Sequence, residues 1–182
     1  MNRLSTARLV LEPFGPRFLT ERYVSWLNDP AVVRYSEQRH HAHDLASCRA
    51  WTAQFDDGSH ALWAIVERED ERHIGNIAAY VDVPNGVGDL SILIGERDYQ
   101  GQGLGLEAWL VVCGHLFEER GLRKVTAGTM AVNHPMLALM RKAGMREDGR
   151  RQQQFLLEGE PVDAVHAALF AAGWPRRTDT AH

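Results

Sequence analysis

The feature that most constrains this chain is a buried strand that runs through a glycine cluster directly into a helix. Residues 89–107 read DLSILIGERDYQGQGLGLE. Leu90, Ile92 and Ile94 have the β-branched and leucine character of a buried strand, whereas residues 106–117 carry apolar side chains at helical spacing. The glycines therefore lie between a strand and a helix, and the fold must place a helix N-terminus at the end of this strand.

A glycine-rich helix N-terminus predicts a site for an anionic group. The first turn of a helix has unpaired backbone N–H groups and a partial positive charge, and glycines let a phosphate approach both. The spacing of Gly101, Gly103 and Gly105 fits neither the dinucleotide-binding fingerprint nor the P-loop. Those two nucleotide sites are therefore excluded, and a glycine-rich turn without a ligand is the alternative.

The glycine loop also carries a resemblance to a known family. Its six residues, QGQGLG, resemble the Q/R-x-x-G-x-G/A signature of the GCN5-related N-acetyltransferase (GNAT) superfamily, whose loop binds the pyrophosphate of acetyl-CoA. Glu107 and Ala108 further resemble the branch that contains the ribosomal-protein N-terminal acetyltransferases and their small-molecule relatives. The resemblance implies acetyl-CoA as the cosubstrate and no metal. The cofactor contacts that it implies are Leu93, Ile94, Gln100, Gly101, Gln102, Gly103, Leu104, Gly105, Asn133 and Lys142.

A second segment extends the resemblance beyond the loop. Residues 133–145 are similar to the family's N-x-x-(A/S)-x-x-L-x-x-K-x-G-F segment, in which the asparagine contacts the pantetheine arm of CoA. Lys142 matches that pattern, whereas Met136 replaces the small residue and Met145 replaces the phenylalanine. Asn133 is also a good helix N-cap, a role that can coexist with a CoA contact.

The order of the predicted elements is that of an α+β domain. The pattern predicts strands at 6–11, 61–67, 73–81, 90–94, 124–130, 151–157 and 161–170, and helices at 18–27, 31–35, 45–55, 106–121 and 136–143. One parallel crossover falls at the glycine loop. Gly75, inside a strand, predicts a bulge or a close backbone approach. The resemblance implies a single GNAT-like domain at 1–175, layered α/β, in which helices cover both faces of a mixed twisted sheet with splayed central strands. We expect a frayed tail at 176–182.

Composition limits the classes of partner. The 182 residues suffice for one domain with a sizeable core, and the formal charge of −4 disfavours nucleic acid and anionic membranes as partners. No apolar run approaches the roughly 20 residues that span a bilayer, so we expect a cytoplasmic protein. Cys48 and Cys113 lack metal-ligand spacing and are expected to be free buried thiols. A homodimer is left open.

The expected chemistry needs a base more than it needs an acid. An amine must lose a proton before it can attack a thioester, and a donor must stabilise the developing oxyanion. By resemblance, Asp89 occupies the strand position where many relatives carry a catalytic glutamate, and alternation puts Asp89, Ser91 and Leu93 on one face. The alternative is that Asp89 is a solvated residue of the preceding turn.

No general acid is predicted. Several relatives have a tyrosine that protonates the departing thiolate, but the matching residue here is Met140, which cannot donate a proton. A free thiol has a pKa of about 8.5, so the thiolate can take its proton from water. His166 lies where some relatives have tyrosine, although a lone histidine beside Val165 and Ala167 also suits a structural role.

The acceptor side is expected in the polar stretch at residues 36–43, SEQRHHAH. In the superfamily, the corresponding region covers the acceptor. The substrate contacts that the resemblance implies are Tyr35, Glu37, His40, His41 and Ser91. An exposed histidine-rich loop is the alternative, and the histidines are too loosely arranged for a metal site. The expected reaction is acetyl transfer to the primary amine of a small molecule such as an amino sugar. The alternatives are acetylation of a protein N-terminus, as in the ribosomal-protein enzymes, and a non-catalytic acyl-CoA-binding module.

Overall fold

A computed structural model describes residues 2–175, so the predicted tail at 176–182 lies outside the described residues. Eight strands form one sheet in the order β1-β2-β3-β4-β5-β6-β8-β7. Their bounds are β1 Leu4–Ser5, β2 Leu9–Pro13, β3 Ala61–Glu67, β4 His73–Asp82, β5 Val87–Ile94, β6 Lys124–Met130, β7 Arg146–Leu157 and β8 Glu160–Phe170. β5 and β6 are parallel and all other neighbours in the sheet are antiparallel. The sheet is therefore mixed, as expected.

Helices cover both faces of this sheet. Their bounds are α1 Glu21–Leu27, α2 Pro30–Val33, α3 Leu45–Thr52, α4 Leu104–Gly114 and α5 His134–Lys142, and α4 continues as a π-helical turn at His115–Glu119. The main core joins α4 and α5 to one face of the sheet around Trp63, Trp109 and Met140. A second cluster, with Tyr23 and Trp26 at its centre, packs α1 to α3 on the other face. The α+β fold predicted for a GNAT-like domain is confirmed.

Element boundaries differ from the prediction where short capping interactions decide them. The first strand was predicted at 6–11, but β2 begins at Leu9 and a short β1 precedes it. The backbone N–H of Thr6 donates to the Leu9 carbonyl at 3.0 Å and turns the chain between the two strands. The first predicted helix is a 3₁₀ turn at Pro16–Phe18 followed by α1, since the Thr20 hydroxyl accepts from the Tyr23 N–H and starts a new helix. β7 begins at Arg146 rather than at 151, and its exposed polar side chains give no apolar alternation that could reveal it.

The two central strands separate after a short parallel contact. β5 and β6 pair only at Val87–Lys124, Gly88–Val125 and Asp89–Thr126. Beyond that point, β5 stays paired with β4 as far as Ile94, while β6 stays paired with β8 as far as Met130. The remainder of the two strands therefore diverges, and the expected splay is confirmed.

The bulge that Gly75 predicted is present in β4, next to this glycine. Ile65 of β3 pairs with Gly75 but the next residue, Val66, pairs with His73, so Ile74 is the extra residue on β4. A Cβ on Gly75 would lie 2.2 Å from the carbonyl oxygen of Leu93 in β5. The close backbone approach predicted from the sequence is present, and it holds β4 against the splayed end of β5.

This contact predicts that Gly75→Ala destabilises the protein. The added methyl group would force β4 and β5 apart, which we expect to lower the free energy of unfolding by about 1–3 kcal/mol. Gly149→Ala in β7 is the matched control, because a Cβ there has no neighbour within 4 Å. Urea unfolding of both variants measures the difference, and equal stabilities would contradict the close approach.

Candidate active site

The glycine loop is built for a group that sits on the end of α4. Gly103 is the N-cap residue with φ of +81°, and Gly101 has φ of +74°. Both lie in the left-handed region that favours glycine. A Cβ on Gly101 would meet no atom within 4 Å, and one on Gly103 would meet only Arg8 Nη2, at 3.7 Å. The space above the first N–H groups of α4 is therefore open.

Side chains tie this loop to two strands. Gln100 Nε2 donates to the Ile94 carbonyl at 2.8 Å, which joins the loop to the end of β5. Arg8 donates from Nη1 to the Gln102 carbonyl at 3.1 Å and from Nε to Glu107 Oε2 at 2.8 Å. Burial raises the pKa of the Glu107 carboxyl, but hydrogen bonds from Thr6 and Arg8 outweigh it and leave this pKa below its ordinary value. Glu107 is therefore ionised, and its hydrogen bonds with Thr6 and Arg8 hold the loop in place.

The predicted cofactor residues take different places around this loop. Leu104 is buried beneath it, and Gly105 faces Leu139 and Ile94, which would lie in ordinary van der Waals contact with a Cβ there, at 3.5 and 3.7 Å. Leu93 and Ile94 form the splayed end of β5. Lys142 is exposed in the last turn of α5.

Asn133 caps α5 where β6 ends. Its Oδ1 accepts from the Met136 N–H at 3.3 Å, and its Nδ2 donates to Thr129 Oγ1 at 2.9 Å. The capping role is confirmed. Its contact with CoA stays a prediction, and the hydrogen bond to Thr129 holds the asparagine beside the diverging end of β6.

A cavity of about 410 Å³ lies on the opposite face of the sheet, between α1 to α3 and strands β3 to β5. Its walls include Tyr23, Trp51, Tyr80, Asn76, Ser91 and Leu93, together with His41 and His43 from the predicted acceptor stretch. Ser91 and Leu93 belong to the splayed end of β5, so the strand that diverges from β6 forms part of the cavity wall. None of its lining residues in the described part of the chain is Asp, Glu, Lys or Arg.

The structure separates the predicted substrate residues into two groups. His41 and Ser91 line the cavity, whereas Tyr35, Glu37 and His40 lie outside its lining. Residues Glu37–His40 form a 3₁₀ turn, and the Glu37 carboxylate pairs with Arg39 Nη1 at 2.7 Å instead of facing the cavity.

Several cavity residues escaped the sequence analysis. Asn76 and Tyr80 belong to β4, where alternation from Asn76 through Ala78 to Tyr80 aims all three side chains at the cavity. That alternation was the available signal. Tyr23 and Trp51 lie on helices whose apolar spacing indicated only a buried face.

Asp89 lies at the point where the central strands part. It is the last β5 residue paired with β6, and Thr126 Oγ1 donates to its Oδ1 at 2.6 Å. Although the residue has solvent access, protein atoms crowd its carboxyl, and this burial raises the pKa of Asp89 despite the opposing effects of Thr126 and His166. Alternation places Asp89 on the face of Ser91 and Leu93, as predicted.

His166 and Met140 mark the other catalytic positions considered. His166 in β8 pairs with Gly128, and its Nδ1 lies 3.0 Å from where a Gly128 Cβ would be, so the glycine makes room for the ring. Its Nε2 is buried and has no hydrogen-bond partner among the described residues. Met140 is 3% exposed in the main core. Its side chain supplies no acid to the cleft.

Among residues 2–175, no helix is long and apolar enough to cross a membrane. The same residues contain no group of three or more His, Cys, Asp or Glu side chains arranged to hold a metal ion. Cys48 and Cys113 are both free and buried, as predicted.

The chain thus combines an open, glycine-rich helix N-terminus with a strand that splays from its parallel neighbour. The family model described as "Acetyltransferase (GNAT) domain" matches residues 8–146, which is more than half of the chain. The chain belongs to the GNAT acetyltransferase family. This membership confirms the enzyme class, an acetyl-CoA-dependent N-acetyltransferase with acetyl-CoA as its cosubstrate.

Solved structures of GNAT enzymes share the fold at low sequence identity. An acetyltransferase from Bacillus anthracis is 17% identical, with a TM-score of 0.81 over 94% of this chain and 99% of that one. Spermidine N-acetyltransferase from Vibrio cholerae, in complex with CoA and spermine, is 15% identical, with a TM-score of 0.81 over 92% and 98%. Ribosomal-protein-S5-alanine acetyltransferase from Vibrio fischeri is 14% identical, with a TM-score of 0.77 over 96% and 100%. No curated protein sequence matches the chain with significance.

The loop geometry predicts that Gly103→Val abolishes acetyl-CoA binding. The branched side chain would enter the open space above α4 that a phosphate needs, so we expect the Kd for acetyl-CoA to rise by more than about tenfold, or about 1.4 kcal/mol. Isothermal titration measures the affinity.

The matched control is Gly58→Val, which carries similar backbone strain, since Gly58 has φ of +75° and no neighbour within 4 Å. We expect it to lower stability without affecting acetyl-CoA. If folded Gly103→Val binds acetyl-CoA like the unmodified protein, the loop is not the pyrophosphate site.

Proposed function

We propose that this enzyme transfers the acetyl group of acetyl-CoA directly to the primary amine of a small molecule with an uncharged body, such as an amino sugar. The cavity at the splayed end of β5 carries this proposal. Its aromatic walls, formed by Tyr23, Trp51 and Tyr80, and its neutral polar side chains suit a ring that bears hydroxyl groups. A polyamine carries several ammonium groups, which would require carboxylates that this lining lacks.

Acetyl-CoA would enter the gap between β5 and β6 from the side of the glycine loop, opposite the cavity. The N–H groups at Gln102 to Gly105 would hold its pyrophosphate, and Asn133 would contact its pantetheine arm. The thioester would then lie between the diverging ends of β5 and β6, where backbone N–H groups at Leu93 or Ile94 can polarise its carbonyl oxygen. This route supports direct transfer, because it ends at the wall of the acceptor cavity.

Asp89 is the proposed base. The acceptor enters as an ammonium, and the Asp89 carboxylate accepts its proton directly or through one water molecule. The neutral amine nitrogen then forms a bond to the thioester carbon and loses its second proton as the carbon–sulfur bond breaks. The CoA thiolate takes up that proton through a water molecule, and Asp89 returns the first proton to solvent. The raised pKa of Asp89 suits this role, because a base works best when its pKa approaches the working pH.

The second candidate acceptor is a protein N-terminus, which the fold shared with ribosomal-protein acetyltransferases favours. Against it, the segment beside the cavity is tied to the β7–β8 hairpin. Arg39 Nη2 donates to the Leu156 carbonyl at 3.1 Å, and Arg34 pairs with Glu158 at 3.0 Å. These contacts restrict the room that a peptide would need.

A release assay for CoA thiol separates the candidates. We would incubate the enzyme and acetyl-CoA with amino sugars, amino alcohols, spermine and a peptide that begins with alanine. Fast release with a small hydroxylated amine is expected. Preference for the peptide would transfer the proposal to the second candidate, and binding of acetyl-CoA without release on any amine would indicate a non-catalytic module.

The base assignment predicts the behaviour of Asp89→Asn. We expect kcat to fall by roughly two to four powers of ten at neutral pH, with acetyl-CoA affinity unchanged and partial recovery as rising pH supplies free amine. In the unmodified enzyme, kcat/KM should fall as the pH drops through the raised pKa of Asp89, because the protonated carboxyl accepts no proton.

Stability provides an independent check on the same variant. A carboxyl whose folded-state pKa is raised destabilises the fold above that pKa, so Asp89→Asn should keep or raise Tm at neutral pH. Asp82→Asn, an exposed residue at the end of β4, is the control for the same chemical change. Unaltered kcat and pH profile in Asp89→Asn would remove Asp89 from the mechanism.

A further inference from the structure

We propose that Asn76 selects acceptor amines that also carry a hydroxyl or carbonyl oxygen, by donating a hydrogen bond from its side-chain amide, and that His73 holds this amide in position. The inference rests on the proposed acetyl transfer in the cavity. It narrows the acceptor to oxygen-bearing amines.

The position of Asn76 gives the first support. It pairs with Ala64 on one side and Leu93 on the other, and its side chain is part of the cavity wall. The residue is 6% exposed, and its Nδ2 has no hydrogen-bond acceptor among residues 2–175. A buried donor without a partner is unfavourable. A ligand oxygen in the cavity would satisfy it.

His73 determines which end of the amide is free. Its Nε2 lies 2.9 Å from Asn76 Oδ1. An amide oxygen can only accept a hydrogen bond, so Nε2 carries the proton. With its oxygen facing His73, the amide leaves Nδ2 as its unpaired end.

Packing keeps the His73 ring in this position. The ring centroid lies 4.9 Å from that of Phe18 and 4.8 Å from that of Trp26. Burial among these rings lowers the pKa of His73, so the ring is neutral near pH 7. The β4 bulge at Ile74 also matters, because an extra residue is what brings side chains three positions apart to one face of a strand.

The resulting selectivity concerns an oxygen atom and not a charge. The hydroxyl of an amino sugar or an amino alcohol can accept the Asn76 hydrogen bond, whereas a hydrocarbon amine leaves the donor unpaired. Sites that hydrogen-bond a substrate reject the analogue that lacks the group more strongly than apolar pockets reject a size difference.

Matched pairs of acceptors test this selectivity. One pair is glucosamine and cyclohexylamine, and another is 2-amino-1-phenylethanol and phenethylamine. We expect the unmodified enzyme to favour the oxygen-bearing member of a pair in kcat/KM. Asn76→Leu, of similar size, should lower that value by about 10- to 100-fold for the oxygen-bearing amine only. KM for acetyl-CoA should not change.

His73→Phe tests the positioning role separately. The phenyl ring keeps the stacking but removes the Nε2–H, so the amide of Asn76 can rotate. We expect KM for the oxygen-bearing amine to rise by several-fold, with kcat and the oxygen-free amine unaffected. A purely structural role for His73 would affect both amines equally.

The controls make each outcome decisive. Asn85→Leu, in the turn between β4 and β5, should leave the preference intact, and Asn76→Ala replaces Asn76→Leu if the latter does not fold. An oxygen preference that survives in the folded Asn76 variant, or a wild-type preference for oxygen-free amines, would overturn the inference alone. If no amine of any kind causes release of CoA, the proposed function is overturned and this inference falls with it.

Discussion

The structure depends on the early end of pairing between β5 and β6. A parallel pair in the centre of a sheet normally satisfies the backbone groups of both strands along their length. Here the pairing stops after three residue pairs, at Asp89 and Thr126, while the outer partners of both strands continue. The gap leaves backbone groups free in the middle of the protein. Asp89, the splayed end of β5 and the cap residue Asn133 border that gap.

The two sides of the gap serve different reactants. On one side, the glycine loop begins α4 and is tied to β5 by Gln100 and to the turn before β2 by Arg8. On the other side, the cavity under α1 to α3 reaches Ser91 and Leu93 of the same strand. β5 thus connects the proposed acetyl-CoA site to the proposed acceptor site. The Gly75 contact keeps this strand against β4, so both sites share one rigid support.

Local signals in the sequence predicted the geometry around the glycine loop, Asp89 and Asn133 better than the lining of the cavity. The glycine loop, the face of Asp89 and the cap at Asn133 each depend on residues close in sequence. The contact of Arg8 with Gln102 spans 94 positions, and no local pattern indicates it. Glu37 lies outside the cavity lining and pairs with Arg39, and neither helical nor strand periodicity in the sequence indicates this ion pair. The contact between His73 and Asn76 in β4 depends on the bulge at Ile74, which Gly75 only suggested in the sequence.

In the proposed complex, acetyl-CoA occupies the gap between β5 and β6. Amide hydrogen exchange with and without acetyl-CoA measures this directly, because bound groups protect the amides that they cover. We predict added protection in the loop at 100–105 and in the splayed strand ends at 91–94 and 127–130, with none in β1 or β2 apart from the segment around Arg8. Protection of the loop without any change at 91–94 would contradict the claim, since the thioester would then lie outside the gap.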